Sequence, residues 1–249
     1  MTKKVGQRLE MGAFIKVFFI SMAGGFIQRV CGFGFGIFVM LFFPYFIKPH
    51  TSAAAISTLV SCFTSGYNAF LYRKKVPYKK IIPLIIGALV MIPVAVKFSV
   101  MISGDFFKKL LGVILILLSI YFLVFNQKLK IRPTFVNGIL AGGLGGVLSG
   151  LFSTGGPPIV LYLMNSLSDN ITYFASTQFY FFGTGMYSTL MRAFNGVITK
   201  DVIICTVVGF LGSIVGNFAG KYTFDKLNQN MLKKIVYIGM LVSGLIMFI

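Results

Sequence analysis

A glycine-rich stretch inside the first apolar run carries residue types that suit anion binding. Gln28 and Arg29 lie between Gly24-Gly25 and a Gly-Phe-Gly-Phe-Gly run at 32–36. An arginine at bilayer depth is costly and faces a cavity or a partner rather than lipid. Because the five acidic residues all lie near segment ends or in loops, a guanidinium beside loosened backbone N–H groups predicts an anion site. Snorkelling of Arg29 to the interface is the alternative.

A second glycine-rich stretch offers neutral hydrogen-bond donors. Ser153 and Thr154 precede two glycines and two prolines, and Pro157 predicts a short helix whose N–H groups point back to the break. Gln178, in the middle of the following apolar segment, is a further candidate, with interhelical hydrogen bonding as its alternative. The predicted substrate-binding residues are therefore Gln28, Arg29, Gly32, Gly34, Gly36, Ser153, Thr154, Gly155, Gly156 and Gln178.

The composition predicts an all-α, polytopic membrane protein that forms a single integral membrane domain over residues 1–249. Of the 249 residues, 57% are hydrophobic and only 11% are charged, against about 25% charged in soluble domains. The net charge of +18 would also suit nucleic-acid binding. The basic residues, however, cluster in loops at the ends of apolar runs, where they meet anionic lipid. We therefore expect the lipid bilayer, and no nucleic acid, as a partner.

The two stretches are copies within an internal repeat, at approximately 12–126 and 133–249. Moving the first block forward by 118 positions places Gly32 on Gly150, and Arg73 matches Arg192 at a spacing of 119. Arg192 is accordingly expected to lie near a loop and to snorkel. Paired interruptions at corresponding points of two repeats are the best sequence indication of a transporter's binding site.

Two topologies fit the apolar runs. Segments 34–47 and 156–166 are too short to cross a hydrocarbon core, which needs about 20 helical residues. If each continues the broken segment before it, the chain has about eight transmembrane helices and its amino terminus inside. Ten short segments with the amino terminus outside satisfy the positive-inside rule nearly as well, and make the two halves antiparallel.

Catalysis and metal transport have little support in this sequence. A single histidine, His50, stands at an expected membrane edge, and no catalytic motif occurs. Neither carboxylates nor histidines lie within the spans to replace a cation's water. We expect no enzyme activity, no catalytic residue, no metal and no cofactor.

The two motifs, Gly25-Phe-Ile-Gln-Arg-Val-Cys-Gly-Phe-Gly-Phe-Gly36 and Gly150-Leu-Phe-Ser-Thr-Gly-Gly-Pro-Pro-Ile-Val-Leu-Tyr162, resemble the signature regions of the TauE/SafE family. The likeness extends over nearly the whole chain. The resemblance implies a multi-pass permease of the bacterial inner membrane, associated with export of sulfite and organosulfonates. Its departures include Gly-Phe-Gly-Phe-Gly and Gly-Gly-Pro-Pro in place of the common glycine triplet.

The expected function is alternating-access export of a small anion through a cavity between the two glycine breaks. Arg29 would supply charge, and Ser153, Thr154 and loosened backbone would supply donors. An interior-negative potential favours outward movement of a monoanion by about 2.3 kcal/mol per 100 mV, so export needs no coupled ion. The alternative from another class is a membrane interaction or assembly protein that moves nothing. Substrate identity, coupling ion and oligomeric state are left open.

Overall fold

The computed structural model describes residues 11–125 and 132–223, together with 237–238, 241–242 and 244–248. No strand occurs among these residues, and half of the last predicted apolar segment, 232–249, lies outside them. The helices are α1 (Met11–Cys31), α2 (Phe35–Met40), α3 (Phe43–Phe46), α4 (His50–Leu71), α5 (Tyr78–Met101), α6 (Gly104–Phe125), α7 (Phe135–Phe152), α8 (Gly156–Ser166), α9 (Asn170–Phe194) and α10 (Lys200–Thr223), with a 3-10 turn at Arg73–Lys75.

Five of these helices, α1, α5, α6, α7 and α10, are long and apolar enough to cross a membrane. Helices α4 and α9 have 22 and 25 residues but bury many polar side chains, among them Ser65, Asn68 and Gln178. The buried polar faces of these two helices therefore form a polar interior within the bundle. The prediction of an all-α polytopic membrane protein is confirmed, whereas the predicted number of about eight spans is not.

Glycines set the closest helix pairs. On α10, Gly212 lies against the backbone of Phe18 and Gly216 against that of Met22, so α1 and α10 run in the same direction. On α7, Gly142 lies against Leu84 and Gly146 against Ala88, and α5 and α7 are therefore also parallel. A side chain at any of these four glycines would meet the partner's backbone, which explains why small residues occupy these contacts.

The central helices α4 and α9 pack in opposite directions. Gly185 of α9 faces Cys62, while Phe182 faces Gly66. Residue numbers therefore increase along α4 in the direction in which they decrease along α9, so the two helices are antiparallel. These two helices occupy corresponding places in the two predicted repeats.

The short helices turn back along the helices that precede them. Gly24 of α1 contacts Phe35 and Val39 of α2, and the ring of Phe46 lies 5.7 Å from the Lys16 ammonium. In the second half, Gly145 and Gly138 of α7 contact α8 at Ile159 and Tyr162 in the same reversed order. The expectation that each short segment continues its broken helix is therefore wrong. Each short helix thus runs in the direction opposite to the helix before it, as the ten-segment scheme predicts.

One end of the bundle, which we call the basic face, gathers the loop at 72–80 with the ends of other helices. Lys80 Nζ donates to the carbonyl oxygen of Ser166, and the ring of Tyr72 packs edge-on against Phe174 at 5.5 Å. At the opposite face His50 is hydrogen-bonded to the carbonyl of Ser99 at 3.0 Å. The exposed basic residues Arg73, Lys74, Lys75, Lys79 and Lys80 thus lie together on one side of the molecule.

Candidate functional site

Both predicted breaks in the apolar helices are present. Helix α1 ends at Cys31, and Gly32 and Gly34 follow with φ of +79° and +103°, conformations that favour glycine. Helix α7 ends at Phe152, and Ser153 takes the left-handed conformation with φ of +60°. Left-handed residues of this kind terminate helices because they redirect the chain after the last turn. Each break is followed by a short helix that runs back along its predecessor.

The two breaks meet face to face. A Cβ added at Gly36 would overlap the carbonyl oxygen of Ser153, so this approach requires a glycine. Thr58 of α4 donates from Oγ1 to the carbonyl oxygen of Ala54 at 2.8 Å, and the same Oγ1 lies within hydrogen-bond distance of Ser153 Oγ at 3.1 Å. The halves of the protein therefore contact each other through the broken segments themselves.

A cavity of about 40 Å³, which we call the central cavity, lies between the breaks. This volume exceeds the roughly 10–15 Å³ that one water requires, and it suits a small ion. Seven of the ten predicted site residues line it, and Arg29, Gly32 and Gln178 do not. The lining residues are Gln28, Phe33, Gly34, Phe35, Gly36, Ile37, Thr58, Ser61, Ser149, Ser153, Thr154, Gly155, Gly156, Tyr180, Phe181, Thr184 and Gly185.

Gln28 and Gln178 form a buried amide pair beside the first break. Gln28 Nε2 donates to Ser65 Oγ at 2.9 Å and approaches Gln178 Oε1 at 3.5 Å. Gln178 Nε2 in turn donates to the carbonyl oxygen of Gly32 at 2.9 Å. The side chain predicted as a ligand thus satisfies a backbone carbonyl that the break exposes, and Gln178 itself does not line the central cavity.

Two hydroxyl groups at the central cavity have no hydrogen-bond partner among the described residues. They belong to Thr154 and Tyr180, each only 1% exposed. A buried hydroxyl without a partner costs about 1–3 kcal/mol. Helix α8 begins beside Thr154, and its prolines at 157 and 158 lack N–H groups, so Gly155 and Gly156 supply the N–H groups there. Unpaired donors at the start of a helix favour an anion.

Arg192, which the sequence interpretation placed at the interface, is fully buried, and that prediction is wrong. Its Nη2 donates to the carbonyl oxygens of Gly150 at 2.7 Å and Ser149 at 3.3 Å, in the last turn of α7. Within the described part of the chain its Nε and Nη1 have no partner. Ser149 lines the central cavity, so only one residue separates the cavity from this cation. Alignment with the exposed Arg73 gave no signal of this burial.

Arg29, predicted to charge the cavity, lies elsewhere. It is partly buried, donates from Nη1 to Asn68 Oδ1 at 3.3 Å and stacks over the Phe174 ring at 5.0 Å. It lines a separate cavity of about 220 Å³ between α1, α4 and α10, which we call the lateral cavity. Consecutive residues on a helix point about 100° apart, so Gln28 faces the central cavity and Arg29 does not.

A third cavity of about 370 Å³ adjoins the first break at the basic face, and we call it the vestibule. Gly32 lines the vestibule, whereas Phe33 lines the central cavity. The peptide between these two residues thus separates the two spaces. Asp169 at the vestibule caps α9, and hydrogen bonds from the Thr172 N–H and hydroxyl lower the pKa of its carboxyl group.

Helices broken in pairs around a buried polar cavity define a polytopic membrane protein of the kind seen in secondary transporters. The family model of the sulfite exporter TauE/SafE matches residues 17–247. The chain therefore belongs to the TauE/SafE family, whose members are transporters of sulfite and sulfonates. No curated protein and no solved structure matches this chain.

Proposed function

We propose that this protein exports a small oxyanion, sulfite or a sulfonate, by alternating access through the central cavity. The observation that carries the proposal is the pair of buried hydroxyls, Thr154 Oγ1 and the Tyr180 phenol, that have no partner among the described residues and lie at a cavity both breaks line. Hydroxyl donors and backbone N–H groups of Gly155 and Gly156 suit the oxygens of an oxyanion. The anion satisfies the donors that the protein leaves unpaired.

Arg192 supplies the positive potential in place of Arg29. Its buried charge has no carboxylate partner among the described hydrogen bonds, and an unpaired buried charge is strongly destabilising. A bound anion beyond Ser149 offsets part of that cost. The arginine is held by the carbonyls at the C-terminus of α7, where a cation is favoured by the helix dipole.

The Gly32–Phe33 peptide is the gate between the vestibule and the central cavity. Gln178 holds the carbonyl of Gly32 at 2.9 Å, and Phe33 packs beside Gly156 on the other side of the cavity. Rotation at Gly32 and Gly34, whose left-handed backbone has few steric limits, moves Phe33 and joins the two spaces. The substrate enters from the vestibule and leaves at the opposite face.

The predicted repeats, 12–126 and 133–249, are proposed to form an inverted pair. Corresponding helices of such a pair run in opposite directions, as α4 and α9 do. The positive-inside rule assigns the basic face, with Arg73, Lys74 and Lys75, to the cytoplasm. The vestibule then opens to the cytoplasm of a bacterial inner membrane, and the N-terminal end of α1 lies outside.

This orientation agrees with export as the direction of transport. An interior-negative potential favours exit of a monoanion by about 2.3 kcal/mol per 100 mV. No coupled ion is needed for movement down this gradient.

The test is anion efflux from proteoliposomes under an imposed interior-negative potential. We expect faster efflux of sulfite or small sulfonates than from protein-free vesicles, and weaker efflux of sulfate, phosphate and carboxylates. The same anions should raise the melting temperature of the purified protein. Absence of flux and of stabilisation for every anion would instead support the non-transporting membrane interaction protein.

A further inference from the structure

From the lateral cavity we infer that the protein holds an anionic phospholipid, with the lipid phosphate on Arg29 and Lys221 and the acyl chains along the neighbouring aromatic side chains. The cavity encloses about 220 Å³ and lies on a different side of α1 from the central cavity. This inference is independent of transport.

The two cations lie at matching depths. Arg29 is in the last turn of α1 and Lys221 in the last turn of α10, and these helices run in parallel. Gly220 permits this approach, because a Cβ there would stand 2.9 Å from the Cβ of Arg29. Both side chains therefore line one cavity near the basic face, at the level where phosphate groups of the adjacent leaflet lie.

The polar groups of the cavity favour an anion as ligand. No acidic residue is among those described as lining it. Arg29 gives a hydrogen bond to Asn68 and a ring contact to Phe174, while a guanidinium has five N–H donors. In the described part of the protein, the buried Nδ2 of Asn217 finds no acceptor. A phosphate oxygen accepts from all three side chains, and Arg suits its geometry.

The rest of the lining favours a lipid over a free ion. Tyr67, Leu71 and Phe218 are 64%, 58% and 55% exposed, so the cavity opens on an apolar outer surface. Such side chains at a membrane protein's outer surface contact acyl chains, and aromatic rings beside cations are typical of the headgroup level. A free anion would gain nothing from these contacts.

The inference is tested by thermal unfolding of the purified, delipidated protein in neutral detergent. Phosphatidylglycerol, phosphatidylcholine with the same acyl chains, and inorganic phosphate are titrated separately. We expect stabilisation by phosphatidylglycerol, with apparent affinity about fivefold weaker in Lys221→Gln and weaker again in Arg29→Gln/Lys221→Gln. Arg73→Gln is the matched control, because Arg73 is exposed at the same face and stacks on Phe70 at 4.2 Å.

Lys221 is exposed, so its single substitution leaves the fold intact and decides the question even if the double variant does not fold. Unchanged affinity in Lys221→Gln, or equal stabilisation by phosphatidylcholine, would overturn the inference. Equal stabilisation by inorganic phosphate would overturn it too, since it would indicate a free-anion site. Loss of anion efflux in any variant bears on the proposed function and not on this site.

Discussion

Arg192 donates to the carbonyl oxygen of Gly150 at 2.7 Å, and Gln178 of the same helix donates to the carbonyl of Gly32 at 2.9 Å. Gly32 and Gly150 are the two glycines that the repeat offset of 118 positions superimposes. Helix α9 therefore donates one hydrogen bond to a backbone carbonyl at the end of each of the two broken helices. Because hydrocarbon cannot form hydrogen bonds with such carbonyl groups, these two side chains stabilise the helix breaks within the membrane.

Removal of the charge at Arg192 is predicted to abolish anion stabilisation. Arg192→Gln should lose the shift in melting temperature that the transported anion produces, whereas Arg192→Lys should keep part of it, because the charge remains without the planar fork. Differential scanning fluorimetry with and without the anion measures both. Arg73→Gln, at the exposed aligned position, serves as control and should respond like the wild type. An intact shift in Arg192→Gln would exclude Arg192 from the anion's surroundings.

Only glycine is predicted to fit at position 36, where the two breaks are in contact. Gly36→Ala should lower the free energy of unfolding by at least about 1–3 kcal/mol, because its Cβ meets the backbone carbonyl of Ser153, which cannot yield as a flexible side chain could. Gly183→Ala in α9 is the matched control, since a Cβ there has nothing within 4 Å. Urea-induced unfolding in detergent compares the two. Equal stability of both variants would mean that the breaks do not meet as described.

The ten-segment topology is predicted to place residues 168 and 200 on opposite sides of the membrane, cytoplasmic and external respectively. The eight-span scheme places them the other way round. Ser168 and Lys200 are both exposed. The variants Ser168→Cys and Lys200→Cys can therefore be labelled in a protein whose three buried native cysteines have been replaced. A membrane-impermeant maleimide applied to intact cells should label only position 200. Labelling of position 168 alone would restore the eight-span scheme.

The sequence predicted the fold class and the breaks because both depend on local composition. Apolar runs specify helices, and glycines at 32, 34 and 36 together with prolines at 157 and 158 interrupt them. Even the convergence of both breaks on one cavity followed from the repeat. These features are properties of neighbouring residues or of a regular offset.

The distribution of charge could not be predicted in the same way. Gln28 and Arg29 are adjacent in sequence but face different cavities, since the helical turn separates their side chains. Arg192 aligns with an exposed arginine, yet α9 packs against the C-terminus of α7 and buries it. The turning back of α2 and α8 likewise depends on tertiary contacts at Gly24 and Gly145. The burial of a charged side chain and the direction of a short helix both depend on which helices pack against each other.

The most direct test of the central cavity as the anion's path is the efflux rate of Thr154→Val in proteoliposomes. This change replaces a hydroxyl without a partner among the described residues, so the melting temperature should be unchanged or higher. A hydrogen bond to a charged group contributes about 1.5–3 kcal/mol, so anion affinity should fall about tenfold or more. Thr206→Val, whose hydroxyl bonds the carbonyl of Val202 in α10, is the control. We predict that subsaturating efflux falls about tenfold in Thr154→Val and not in Thr206→Val; wild-type efflux from folded Thr154→Val would contradict the proposed pathway.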